Sequence, residues 1–132
     1  MAEHNDLGKE GETRAVLYLL LTGYHILECN WHGMECEIDI IAEYYGEIVF
    51  VEVKTRTFYE DVKPEEAVNT NRMYRMSRAA EEYLSTYRLQ EKPFRFDVIA
   101  NIVQDGTWKM RHIKYAFFLK PKRKDNLFGW DL

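Results

Sequence analysis

Residues 37–54 constrain the fold more than any other stretch of the chain. They read Glu37-Ile38-Asp39-Ile40-Ile41-Ala42-Glu43-Tyr44, then Tyr45-Gly46, then Glu47-Ile48-Val49-Phe50-Val51-Glu52-Val53-Lys54. Two β-branched runs around a two-residue turn signal specify a hairpin. Alternate residues of a strand share a face, so Val49, Val51 and Val53 form one row and Phe50, Glu52 and Lys54 the other. On the first strand Ile38 and Ile40 are expected on one face, with Glu37, Asp39 and Ile41 on the other. With a two-residue loop Tyr44 pairs with Glu47. The same register sets Asp39 opposite Glu52 and Glu37 opposite Lys54. Directly opposed side chains have Cβ atoms roughly 4.5–5.5 Å apart, where like charges repel. Two carboxylates in strands of Ile and Val therefore call for a cation. A hard divalent ion such as Mg²⁺ suits oxygen ligands and keeps waters for chemistry. The same residues also suit an ordinary Glu37–Lys54 ion pair on a solvated sheet face.

The rest of the chain supports one α/β domain over residues 1–119. With 132 residues, 46% of them apolar, there is material for one core and not for two. Helices are expected over residues 6–22, capped by Asp6 and stopped by Gly23, and from Pro64 or Thr70 to about Tyr87. Further strands are expected at 24–31, at 94–103 and, after the Asp105-Gly106 turn, at 107–113. The order is α-β-β-β-α-β-β, a mixed sheet flanked by helices. Residues 120–132 read as a basic, poorly ordered tail in which Phe128 and Trp130 are candidates for docking. No apolar run reaches the length of a membrane span, and no secretory leader opens the chain. Cys29 and Cys36 suit a reducing cytoplasm.

Net charge is −4, from 18 Lys and Arg against 22 Asp and Glu. That argues against a generic nucleic-acid coat. Location qualifies the sum: residues 107–124 hold Lys109, Arg111, Lys114, Lys120, Lys122, Arg123 and Lys124 and no acid.

Other side chains add candidates. Glu12 falls among Ala15, Val16, Leu19 and Leu20 on the helical period, and a carboxylate aimed at a core must be paired, protonated or metal-bound. Gly8 and Gly11 beside it permit close approach. Arg72, Arg75 and Arg78 line one flank of the second helix and, with Arg56, are candidates for gripping phosphates. A solvated helix face is the commoner meaning of such a run. His25, Cys29, His32 and Cys36 lack the close CxxC pair of a zinc site. Asp97, in an apolar strand, is expected to hydrogen-bond Arg95 or a helix end.

Asp39, a gap, and then Glu52-Val53-Lys54 resembles the PD-(D/E)XK nuclease signature. Gly8-x-x-Gly11-Glu12-x-x-Ala15, Glu37-Ile38-Asp39-Ile40-Ile41-Ala42, Phe50-Val51-Glu52-Val53-Lys54-Thr55-Arg56 and Arg95-Phe96-Asp97-Val98 together resemble the bacterial YraN-like family. That family is similar to archaeal Holliday-junction resolvases, and the match runs from about Leu7 to Phe117. Cys36 stands where the family usually has Gly, and Arg72 where it usually has Lys. The resemblance implies a restriction-endonuclease-like fold and Mg²⁺- or Mn²⁺-dependent cleavage of phosphodiester bonds, with DNA, branched or junction DNA among the candidates, as substrate and a homodimer as one arrangement. It implies Asp39, Glu52 and the Val53 carbonyl as metal ligands, Lys54 as the water-positioning or charge-stabilising residue, and Glu12 as the helix carboxylate completing the site. Glu37 is an additional candidate. The alternative is a nucleic-acid-binding module without turnover.

Overall fold

Both tight turns are two-residue loops that end in glycine. Tyr45 and Gly46 have φ of 49° and 83°, and Asp105 and Gly106 have 51° and 78°. Two successive left-handed residues are what a type I′ hairpin turn needs. In this computed structural model, which describes residues 2–57 and 68–123 (for residues 2–5 the backbone only), the elements are α1 (Ala2–Leu21), β1 (His25–His32), β2 (Glu37–Tyr44), β3 (Glu47–Thr57), α2 (Thr70–Thr86), β4 (Phe94–Gln104) and β5 (Thr107–Phe117). This is the expected α-β-β-β-α-β-β order, an α/β fold consistent with a nuclease-like architecture. The five strands lie in the order β1-β2-β3-β4-β5. Only β3 and β4 run parallel, and the α2 crossover joins them.

Each helix covers one sheet face. Ala15 and Leu19 of α1 pack with Ile40, Val49, Val51 and Ile99. Met76, Ala80 and Tyr83 of α2 pack with Phe50, Phe96 and Val98. The strict alternation of β3 between these clusters is what its sequence specifies, and each fully buried Val, Ile or Phe contributes about 1.5–3 kcal/mol. No helix among the described residues is long and apolar enough to cross a membrane.

Several boundaries differ from the sequence expectation. α1 begins at Ala2, so Asp6 lies inside the helix and caps nothing. Its stop is as expected: Gly23 (φ 95°) follows the last turn, with Gly23 N donating to Leu20 O at 3.2 Å and Tyr24 N to Leu19 O at 2.9 Å. α2 opens at Thr70, capped by Asn69, whose Oδ1 accepts from Arg72 N at 2.8 Å; Pro64 lies outside the described residues. β3 and β5 run past 54 and 113 to Thr57 and Phe117 because parallel and antiparallel partners continue on β4. Residues 120–123 lie against α2: Lys120 N donates to Ser77 Oγ and Arg123 N to Tyr74 Oη. Lys124, Phe128 and Trp130 lie outside the described residues.

The buried stripe of α1 is Gly11, Ala15 and Leu19, with Leu20 51% exposed. Glu12 therefore sits at the stripe's edge, half-buried, and not at its centre. Gly11 is the closest approach of α1 to the sheet. A Cβ built there would lie within 1.9 Å of Thr55 Oγ1 and 3.1 Å of Asn101 Nδ2. Gly11→Ala is expected to lower stability by about 1–3 kcal/mol through overpacking, read as a lower urea midpoint. An unchanged midpoint would show that α1 rides more loosely on β3 than this contact requires.

Candidate active site

The site lies where β2 and β3 part. Their pairing runs from Tyr44–Glu47 to Ile40–Val51, the register expected from the turn, and the ladder stops there. Past that point the Asp39 side chain replaces a backbone partner: Val53 N donates to Asp39 Oδ2 at 2.8 Å. Strand alternation breaks at the same residue. Ile38 joins the α2-side cluster and Ile40 the α1-side cluster, so the two do not share a face as expected. On β1 the pairs Cys29–Ile40 and Trp31–Ile38 flank Asn30, whose φ is 51°. This left-handed residue interrupts the extended backbone of β1 opposite Asp39.

Glu52 is 3% exposed. Arg72 grips it from the first turn of α2, Nη2 donating to Oε1 at 2.8 Å and Nε to Oε2 at 3.2 Å. Lys54 Nζ lies 3.3 Å from Oε2. The Asn69 cap fixes the turn that carries Arg72, and Arg72 Nη2 also donates to the Glu37 carbonyl at 2.9 Å, tying α2 to the start of β2.

Asp39 and Glu52 share one environment and are driven apart in acidity. Burial, followed by the neighbouring Glu52 charge, pushes the Asp39 carboxyl up to about 8, against the pull of the Val53 N–H. Burial also opposes ionisation of Glu52, but its hydrogen bonds and charge contact with Arg72, together with Lys54, outweigh that and hold it below the ordinary carboxylate range. Two acids in contact, one kept neutral and one kept charged, are the signature of a site that cannot hold two negative charges unaided.

Glu12 does not join them as a third member. Its Oε1 accepts from Asn30 Nδ2 at 2.9 Å, and the same amide nitrogen donates to Glu37 Oε1 at 2.8 Å. Glu12 remains near enough for its charge to help raise the Asp39 carboxyl. It also stands between two clefts, one of 340 Å³ lined by Cys29, Asn30 and Asp39, the other of 190 Å³ lined by Gly8, Val53, Lys54 and Arg56. The expectation of three acids meeting at one point is thus met by two, with the third on the rim. Among the described residues no group of three or more His, Cys, Asp and Glu side chains is arranged to hold a metal ion, the set His25, Cys29, His32 and Cys36 included. The donors that would suit a hard cation are the Asp39 and Glu52 carboxyls and the adjacent Val53 backbone.

The arginines separate. Arg56 lines the smaller cleft and donates to the Thr55 carbonyl at 3.0 Å. Arg72 is engaged with Glu52 and presents no open fork to a phosphate. Arg75 Nε donates to the Glu35 carbonyl at 3.2 Å. Arg78, its side chain 8% exposed, donates to the Lys120 carbonyl and lies over Tyr74, which makes it an anchor for the chain after β5. Burial of the α2 flank by that chain is what the helical period alone does not show.

Sequence reasoning missed Asn30, the amide that links Glu12 to Glu37. A polar residue at a strand position next to the acidic hairpin was its only signal. It also missed two partners of Asp97. This fully buried carboxylate accepts from Arg95 Nε at 3.0 and 3.1 Å and Tyr115 N at 3.1 Å, and lies 2.7 Å from His112 Nε2. Arg95 was expected; His112 and Tyr115 come from β5 and are brought by the sheet order.

Comparison with known proteins gives the kinship. Residues 11–100 match the model described as "Uncharacterised protein family UPF0102". A UPF0102 protein of Bacteroides thetaiotaomicron is 45% identical over 118 residues, covering 89% of this chain and 97% of that one. One from Phocaeicola vulgatus is 40% identical over the same shares. One from Porphyromonas gingivalis is 42% identical over 125 residues, 93% and 92% of the two chains. The matched span contains Glu12, Asn30, Asp39, Glu52, Lys54 and Arg72, the whole constellation just described, and the chain belongs to the UPF0102, or YraN-like, family.

Proposed function

We propose that this protein is a nuclease that hydrolyses phosphodiester bonds in DNA with Mg²⁺ or Mn²⁺. One observation carries the reading: Asp39 and Glu52 meet at the parted end of a hairpin with a lysine beside them, where burial and the Glu52 charge push Asp39 toward its neutral form. The residues fit a hard cation, since both side chains are oxygen donors and the Val53 carbonyl belongs to the same strand end. A divalent ion held there supplies Lewis acidity toward the phosphoryl oxygen and acidifies a bound water.

The chain's own groups divide the remaining work. Asp39 and Glu52 would hold the ion, Asp39 as its carboxylate. Lys54, on the face of Glu52, orients water or offsets charge building on the non-bridging oxygens. Arg72 holds the Glu52 carboxylate in place before metal and substrate arrive, and Asn30 holds Glu12 at the rim, where that carboxylate can receive a water-bridged ligand. The pairing of Glu52 with two cations favours a second reading, a nucleic-acid-binding module whose acids are neutralised without metal.

The deciding experiment incubates labelled single-stranded, duplex and branched DNA with the protein in Mg²⁺, in Mn²⁺ and in chelator, with Glu52→Gln alongside. Cleavage that needs the divalent ion and falls by at least about 100-fold in the variant, the scale of a lost charge-stabilising group, is the expected result. Shifted but intact DNA in every lane would establish the binding module instead. Cleavage at equal rate by Glu52→Gln would remove the site.

A further inference from the structure

The sheet register assembles a basic surface next to the site that no single segment of sequence displays. Lys54 pairs with Ala100 and Ala100 with Arg111; Arg56 pairs with Ile102 and Ile102 with Lys109. These are two cross-strand rows, each with a cation on β3, an apolar residue on β4 and a cation on β5. They share the face that carries Glu52, because Lys54 contacts Glu52 and Ile113, two residues beyond Arg111, packs into the α2-side cluster. That cluster ends at Val98 and Ile113, so among the described residues the two rows lie beyond the part of the face that α2 covers. Lys109 and Arg111 are exposed. With strands about 4.8 Å apart and alternate residues about 7 Å apart, the four cations occupy a patch of roughly 10 by 7 Å. The chain's net charge is −4, and none of residues 107–123 is acidic.

We propose that a nucleic-acid strand lies across these two rows, its phosphates on Lys54, Arg56, Lys109 and Arg111, and runs from the Asp39–Glu52 site to the β5 edge. Cations spaced over apolar residues and facing one way suit a polyanion that is tracked by its backbone and not read by sequence. The proposal rests on the nuclease reading for its starting point at Asp39 and Glu52, and binding tests it separately from turnover.

The test is fluorescence anisotropy in chelator, with labelled single-stranded DNA, RNA of the same sequence and duplex DNA, titrated over a salt series. Lys109→Ala/Arg111→Ala is compared with Lys114→Ala, a cation of the same strand that lies over the Tyr44 ring instead. The double variant is expected to bind at least about 10-fold more weakly, and its log K against log salt slope for single strands to fall by about 1.4, two phosphates' worth. Lys109→Arg/Arg111→Lys retains the slope, and Lys114→Ala matches the parent. An unchanged slope in the double variant overturns the path even if the wild-type protein cuts DNA. Lost binding in the double variant, with no cleavage by the wild type in Mg²⁺ or Mn²⁺, upholds the path and removes only the nuclease reading. Binding to phosphatidylserine vesicles with none to nucleic acid overturns the proposal in favour of a membrane surface.

Discussion

Asp39→Asn is expected to reduce cleavage by at least about 10³-fold, some 4 kcal/mol of barrier, and at the same time to make the metal-free protein more stable at pH 8. The two effects have one cause. Asp39 titrates at 3.8 in its reference state and is pushed up to about 8 in the fold. Between those values the native state binds the extra proton, so its stability is full below about pH 4 and is lost as the pH rises through 8. The slope approaches 1.4 kcal/mol per pH unit. Asparagine keeps an oxygen for the Val53 N–H and has no proton to lose. In chelator the variant should exceed the wild type by several kcal/mol at pH 8, with the gap narrowing toward pH 4. Glu52 has the opposite sign, since its lowered pKa stabilises the fold above pH 4.5 and that contribution is lost as pH falls. Added Mg²⁺ or Mn²⁺ should raise the wild-type midpoint at pH 8 and leave Asp39→Asn where it was. Urea titrations at three pH values, with and without the ion, measure all of this. A variant no more stable than wild type at pH 8 would show that Asp39 is not held neutral, and the case for a cation between the acids would lose its main support.

Asp97→Ala should cost about 3–5 kcal/mol, the usual penalty for stranding a buried charge. Asp97 is completely buried and receives Arg95, His112 and the Tyr115 backbone, while Arg95 continues to Glu47 at 2.8 Å and to the Tyr24 hydroxyl at 2.8 Å. His112 in turn faces Tyr18 Oη across 2.8 Å, so the network ties α1 to β3, β4 and β5. With that carboxylate removed, the Arg95 guanidinium, whose pKa burial would lower and Asp97 holds above its ordinary value, keeps its charge with half its compensation. A domain of this size has only about 5–15 kcal/mol in hand, so the alanine variant sits at the edge of folding. Asp97→Asn, which keeps volume and one acceptor, should fall between it and the wild type. Equal midpoints for Asp97→Asn and wild type would mean that the network is held by shape alone.

The sequence by itself determined the strands, their turns and the register that brings Asp39 toward Glu52. Those features depend on period-two alternation and on the backbone preferences of Tyr45-Gly46 and Asp105-Gly106, which act over a few residues. It also pointed to Gly11 as a place of close approach and to Gly23 as a helix stop. The tertiary structure alone decided which charges meet. Arg72 reads as a phosphate-gripping arginine along its helix, and becomes the clamp on Glu52 only because the α2 crossover lands its first turn over β3. Glu12 reads as core-facing and moves to the rim because helix rotation is set by the small residue Gly11 pressing on Thr55. Arg78 reads as surface and is covered by residues 120–123. Lys109 and Arg111, far from Lys54 and Arg56 in the chain, become their neighbours through two successive strand pairings. Local geometry is written in neighbouring residues, whereas the partner of a charge is whatever long-range packing puts beside it.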